Sequence, residues 1–195
     1  MKILLYVLSV VGLFFLVLLM YLIFKFEPAY HQLKQFDDNA ISTYTNMIQK
    51  LIETGNAAEA TVWKTKVNND LSAEDVEDAM KSIAAEHNIK NVGELPLSKQ
   101  ITAMTGKKFR FMKIYMYCNP LTAAKMIDYS DAFSAYLPCR ITLLEDKSGQ
   151  LWVYSLNMDM MIYGGTPLPP ELKKEAIRVK TVIQDIMKRG ASGEF

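Results

Sequence analysis

The stretch CRITLLEDKSGQLWVYSLN, residues 139–157, decides the fold class. Pro138 precedes a strand over Cys139–Glu145, and Asp146-Lys147-Ser148-Gly149 supplies a turn. Leu151–Asn157 then returns as the partner strand of a hairpin. A doubly wound parallel sheet needs strict alternation of strand and helix, which a hairpin breaks.

Working back from it, Phe109–Cys118 is the strongest strand, rich in aromatics and ended by Asn119-Pro120. It carries Phe111, Tyr115 and Tyr117 on one face and Met112, Ile114 and Met116 on the other. Asn119 suits the cap, and Pro120 the first position, of a helix running to about Ile127. Ala60–Val67 alternates as a half-exposed strand, and Val92–Leu95 reads as a short one. Ser72, with Asp75 three residues on, opens a helix whose inner stripe is Val76, Ala79, Met80 and Ile83. Leu97, Ile101 and Met104 mark another helix, closed by Gly106. Leu172, Ala176, Val179, Ile183 and Ile186 keep a 3.6-residue period in the last helix, with a frayed tail expected from Gly190. The reading is an α+β fold: an antiparallel sheet packed with helices, mainly on one face.

The chain has 195 residues, 50% of them apolar, and a net charge of +1. Much of the apolar character sits at the start, where Met1–Phe26 has only Lys2, Ser9, Gly12 and Lys25 outside the hydrophobic class. Ile3–Phe24 carries no charge and is long enough for a hydrocarbon core of about 30 Å. It exceeds a signal-peptide apolar region, and Phe24-Lys25-Phe26-Glu27-Pro28 offers no small-residue cleavage site. A retained single-pass transmembrane helix, a signal-anchor with the lipid bilayer as partner, is therefore expected. Basic residues nearly tie on its two sides, and the two-residue tail before it favours an extracytoplasmic body. Pro28 suits the start of a second helix, with Leu33, Phe36, Ala40, Tyr44, Met47 and Leu51 at helical spacing up to Gly55-Asn56. That stripe is too short for a coiled coil and reads as an amphipathic connecting helix. The expected organisation is an anchor over 1–26, a connecting helix over 27–56, an α+β domain over 57–190 and a flexible tail over 191–195.

Beyond the anchor, 20 Lys+Arg face 21 Asp+Glu, so the body has no electrostatic footprint for nucleic acid. No residues stand out as catalytic and no cofactor is assigned. His31 and His87 are the only histidines, which excludes a zinc site built on several of them. Asp37/Asp38 and Glu74/Asp75 are adjacent pairs that read as solvated charge rather than acid/base partners. Gly164-Gly165 lacks the Lys-Ser/Thr of a phosphate-binding loop. What remains is sulfur. Cys118 ends one strong strand and Cys139 starts the next, so the sheet brings them within bridging reach. They read as buried thiols, a disulfide, or a redox or ligand-binding pair with Asn119 and Pro120 alongside. Met112, Met116, Met158, Met160 and Met161 are core filler or, with the cysteines, soft ligands for Cu(I).

Several blocks stand out in order along the chain: Tyr117-Cys118-Asn119-Pro120, Ala123-Ala124, Leu137-Pro138-Cys139-Arg140-Ile141, Glu145-Asp146 with Gly149, and Trp152-Val153. In order and spacing they resemble family 302 of the domains of unknown function, from about Ala60 to Lys188. The resemblance implies a small α+β domain that tends to form homodimers and brings no agreed activity. The functional expectation is a membrane-anchored, non-catalytic binding or interaction module, dimeric through its sheet. The alternative is a thiol-redox or copper-handling protein using Cys118, Cys139 and nearby methionines.

Overall fold

A computed structural model describes residues 2–195; Met1, where the expected anchor begins, lies outside the described residues. Helix α1 (Lys2–Leu33) is 32 residues long and apolar enough to cross a membrane, with none of its most apolar window buried. It continues through Pro28 instead of ending before it, so the expected helix start at that proline is corrected. The break comes at residues 34–39, and Asp37 fixes it there. Its N–H donates to the Gly165 carbonyl at 2.8 Å, and its carboxylate accepts from the Asn39 N–H at 3.0 Å and pairs with Lys173. Burial alone would raise the Asp37 carboxyl, but Lys173 and Asn39 outweigh it and hold it below the ordinary range. Asp37 is thus a buried tether, not the solvated charge that its neighbour Asp38 suggests.

Helix α2 (Ala40–Thr54) ends at Gly55 in the left-handed conformation that glycine tolerates. It lies against helices α3 (Ala57–Ala60) and α7 (Asp159–Tyr163), and the Tyr44 hydroxyl donates to the Gly164 carbonyl at 2.7 Å. Its outer side leaves Ile41, Ile48 and Ile52 exposed.

The body contains strands β1 (Val62–Lys66), β2 (Lys90–Leu95), β3 (Met112–Cys118), β4 (Cys139–Glu145) and β5 (Leu151–Leu156). They form one antiparallel sheet in the order β1-β5-β4-β3-β2. Helices α4 (Ala73–Glu86), α5 (Leu97–Thr105), α6 (Pro120–Tyr129) and α8 (Pro170–Ser192) complete it, with a 3₁₀ helix over Asp131–Tyr136. Two strands are shorter than their patterns: α3 takes the residues before β1, and β3 starts at Met112 because Phe111 donates its N–H to the Glu145 carboxylate. The hairpin turn is built by Asp146, whose carboxylate accepts from the backbone of Ser148 and Gln150 and from the Trp152 indole at 2.9 Å. The Ser148 hydroxyl and that indole hold the carboxyl far below the usual range. Ser72 and Asp75 form a complete reciprocal capping box on α4.

The core lies between α4 and α8 and one face of the sheet. Tyr115, Tyr117, Ile141, Leu143 and Val153 meet Val76, Met80 and Ile83 of α4 and Ile183, Ile186 and Met187 of α8. At its rim, Glu77 of α4 receives Lys113 and the Tyr115 hydroxyl, the latter at 3.1 Å. Burial would raise the Glu77 carboxyl, yet Lys113 and Lys81 keep it below its ordinary value.

The expected frayed tail is corrected. Helix α8 runs on to Ser192, with Gly190 and Ala191 buried. The reason is close packing: a Cβ on Gly190 would lie 2.4 Å from Met80 Cγ, so the missing side chain lets α8 approach α4. In an exposed helix Gly→Ala is stabilising by roughly 0.5–1 kcal/mol, because alanine loses less backbone freedom. Here the contact reverses the sign. Gly190→Ala is expected to destabilise the body by about 1–3 kcal/mol, measured by chemical denaturation, with a smaller loss in a Met80→Ala background.

Candidate functional site

The far end of the β3–β4 pair gathers the residues that the sequence singles out. Strand β3 stops at Cys118, where the Asn119 side chain accepts the Leu121 and Thr122 N–H groups at 3.1 and 3.2 Å. That cap turns the chain into α6, with Pro120 in its first turn. The chain returns through the 3₁₀ helix and a cis Leu137–Pro138 bond to Cys139, which pairs with Tyr117 in the sheet. Cys118 therefore stands one residue out of register with Cys139. Both thiols are free and half-buried.

A small cavity of about 40 Å³ opens over them. Tyr117, Cys118 and Cys139 line its sheet side, Ala123 and Met126 of α6 and Val179 of α8 its helical side. Met158 and Met161, around the start of α7, close it. Burial, with Cys118 adding to it, pushes the Cys139 thiol up to about 11, and burial also raises Cys118. At neutral pH both are thiols, which disfavours nucleophilic or exchange chemistry. The Tyr117 hydroxyl is fully buried and has no hydrogen-bond partner among the described residues.

The structure thus brings together Cys118, Cys139, Asn119, Met158 and Met161. Pro120 is exposed at the helix start and does not line the cavity, and Met160 is 42% exposed on α7. Met112 and Met116 stand apart, on the opposite face of the sheet from the core. Met126 is the addition. It shares a helix face with Ala123 three residues earlier, a spacing that marks it in the sequence once α6 is placed. The histidines lie elsewhere: His87 Nε2 is 2.6 Å from Asp185, and His31 sits 3.9 Å from Glu27. Among the described residues no three of His, Cys, Asp and Glu gather as a metal site. A wider polar groove, about 630 Å³, separates α2 from Trp63 and Tyr163, and its Lys180 is already paired with Asp159.

The second feature is the sheet face turned away from α4 and α8. The pairing places Met112, Ile114 and Met116 of β3 beside Thr142 and Leu144 of β4, then Trp152, Tyr154 and Leu156 of β5. Leu156 is exposed and the others are only half-buried. Lys64 of β1 lies over the Trp152 ring at 4.4 Å. The aromatics on this face come from β5, while those of β3 are inside. Helix α2 packs on α3 and α7 and is not a lid over it.

A family model described as "Domain of unknown function DUF302" matches residues 63–190. The chain is also similar to a crystal structure of an uncharacterized conserved DUF302 protein from Bacillus stearothermophilus. The TM-score is 0.53 at 16% identity, over 66% of this chain and 97% of that one, a likeness that speaks to fold alone. No curated protein matches.

Proposed function

The chain belongs to the DUF302 family, and from that premise we propose a membrane-anchored, non-catalytic binding module that pairs two copies through the open face of its sheet. One observation carries the reading: helices α4 and α8 cover a single sheet face, and the other presents Ile114, Leu144, Trp152 and Tyr154 without a helix of the core against them. Five strands about 4.8 Å apart and some six residues long span a face of roughly 20 by 20 Å, or about 400 Å². Apolar patches of a few hundred Å² usually mark partner surfaces. A face of that size is modest for a dimer in free solution. The apolar helix α1 supplies what the area lacks, since confinement to a bilayer raises the effective concentration of one copy around another. The body sits on the extracytoplasmic side in this reading, with Ile3–Phe24 in the lipid.

The test uses the full chain in its own membranes. Carbonate washing is expected to leave it in the membrane pellet, and external protease to reach the body. A short amine-reactive crosslinker is expected to join two copies through Lys64 and Lys66, which flank the open face. Release by carbonate, or a chain that stays monomeric both under the crosslinker and after mild solubilisation, overturns the reading.

A further inference from the structure

We propose that the cavity at the end of β3 and β4 is a copper(I) site, in which Cys139 supplies a thiolate and Met158 and Met161 thioether sulfur, with Cys118 beside them as a neutral thiol. Four sulfur side chains from separate parts of the chain line one small space. Its volume, about 40 Å³, suits an ion better than an organic substrate. Met126, 5% exposed, adds a fifth sulfur on the α6 wall.

The donor set selects the metal. No carboxylate or imidazole lines the cavity, which disfavours the hard ions that need oxygen ligands. Zinc sites take four ligands drawn from thiolate, imidazole and carboxylate, and only two of that kind are here. Thiolate with thioether is the soft combination that selects Cu(I). Charge points the same way. One Cu(I) with one thiolate is neutral, as an almost wholly apolar cavity requires, whereas a divalent ion would leave net charge buried. Binding is then a simple exchange: Cu(I) forms a bond to the Cys139 sulfur, the S–H bond breaks, and the proton leaves to solvent. The copper stays Cu(I) throughout, so no oxidant or reductant enters. Because the thiol must lose its proton, apparent affinity rises with pH through the neutral range. This site does not depend on pairing through the sheet.

The test is an anaerobic titration of the reduced full chain in detergent with Cu(I), against bathocuproine disulfonate as a coloured competitor. One copper per chain is expected. Cys139→Ser should weaken it at least about 100-fold, beyond the loss of a supporting hydrogen bond at a metal site. The pair Met158→Leu/Met161→Leu should weaken it less, and Met112→Leu/Met116→Leu not at all. X-ray absorption of the bound copper should show sulfur neighbours only, a readout independent of how well each variant folds. Binding that survives Cys118→Ser/Cys139→Ser, nitrogen or oxygen ligands in the spectrum, or wild-type protein stripped as readily as that double variant would overturn the assignment.

Discussion

Ile114→Glu is expected to turn the proposed membrane-bound dimer into monomers while leaving the body folded. Ile114 lies in the middle row of the open face, aligned across the sheet with Thr142 and then Tyr154. In a single chain the side chain is only half-buried, so a carboxylate there keeps water and costs the monomer little. In a face-to-face pair the same carboxylate is enclosed without a partner. An uncompensated buried charge costs about 3–5 kcal/mol, and a two-fold pair contains it twice. Together they raise Kd at least about 10⁴-fold, beyond what confinement to the bilayer restores. Crosslinking through Lys64 and Lys66 should disappear while the thermal transition of the body stays in place. Ile41→Glu, on the exposed side of α2, should leave the crosslink intact. A dimer that persists in Ile114→Glu and fails in Ile41→Glu would move the interface to the connecting helix.

The two outcomes separate because the open face was readable only in part. Alternation along Phe109–Cys118 already placed large apolar groups on both faces, and one layer of helices covers just one of them. Which face stays open depends on α4 and α8, whose stripes say that they pack but not where. The aromatics of β3 proved to be core, and those facing outward come from the hairpin's second strand. The hairpin itself was legible because Asp146, Ser148 and Gly149 write a turn in local chemistry. So were the caps at Ser72, Asn119, Gly55 and Gly106, each within a few residues of the helix it bounds.

Features that depend on distant partners were not. Asp37 looks like surface charge until Lys173 and Gly165, more than 120 residues away, are placed around it. Gly190 looks like a helix terminator until Met80 is seen against it. Pro28 suits a helix start because its missing N–H is free of cost there, yet α1 passes through it and the chain turns where Asp37 is tethered. At the sulfur cavity the sequence supplied the donors but not their selection. Strand order brings Cys118 and Cys139 together, whereas Met158 and Met161 join them only through the fold of the segment between β5 and α8.

Leu13→Arg combined with Leu16→Arg is expected to release the protein from the membrane. Both residues lie near the middle of Ile3–Phe24, on a helix whose described side chains are exposed and find no cover among the described residues of the body. An arginine at the centre of a spanning helix costs about 2.5–3.5 kcal/mol, against a gain of about 0.3–0.6 for each central Leu, Ile, Phe or Val. Two arginines therefore cancel the contribution of roughly ten apolar residues, close to half the span. The long side chains cannot both reach an interface from the midpoint, so snorkelling relieves little of the cost. Carbonate extraction should move most of the double variant from pellet to supernatant, and protease applied outside should no longer reach its body. Leu13→Ala with Leu16→Ala removes the same packing without charge and should remain in the pellet. If the arginine variant also stays there, α1 is not held by a hydrocarbon core. The apolar helix would then have to be covered by protein, and the effective concentration on which sheet pairing relies would have to come from that partner instead of from the bilayer.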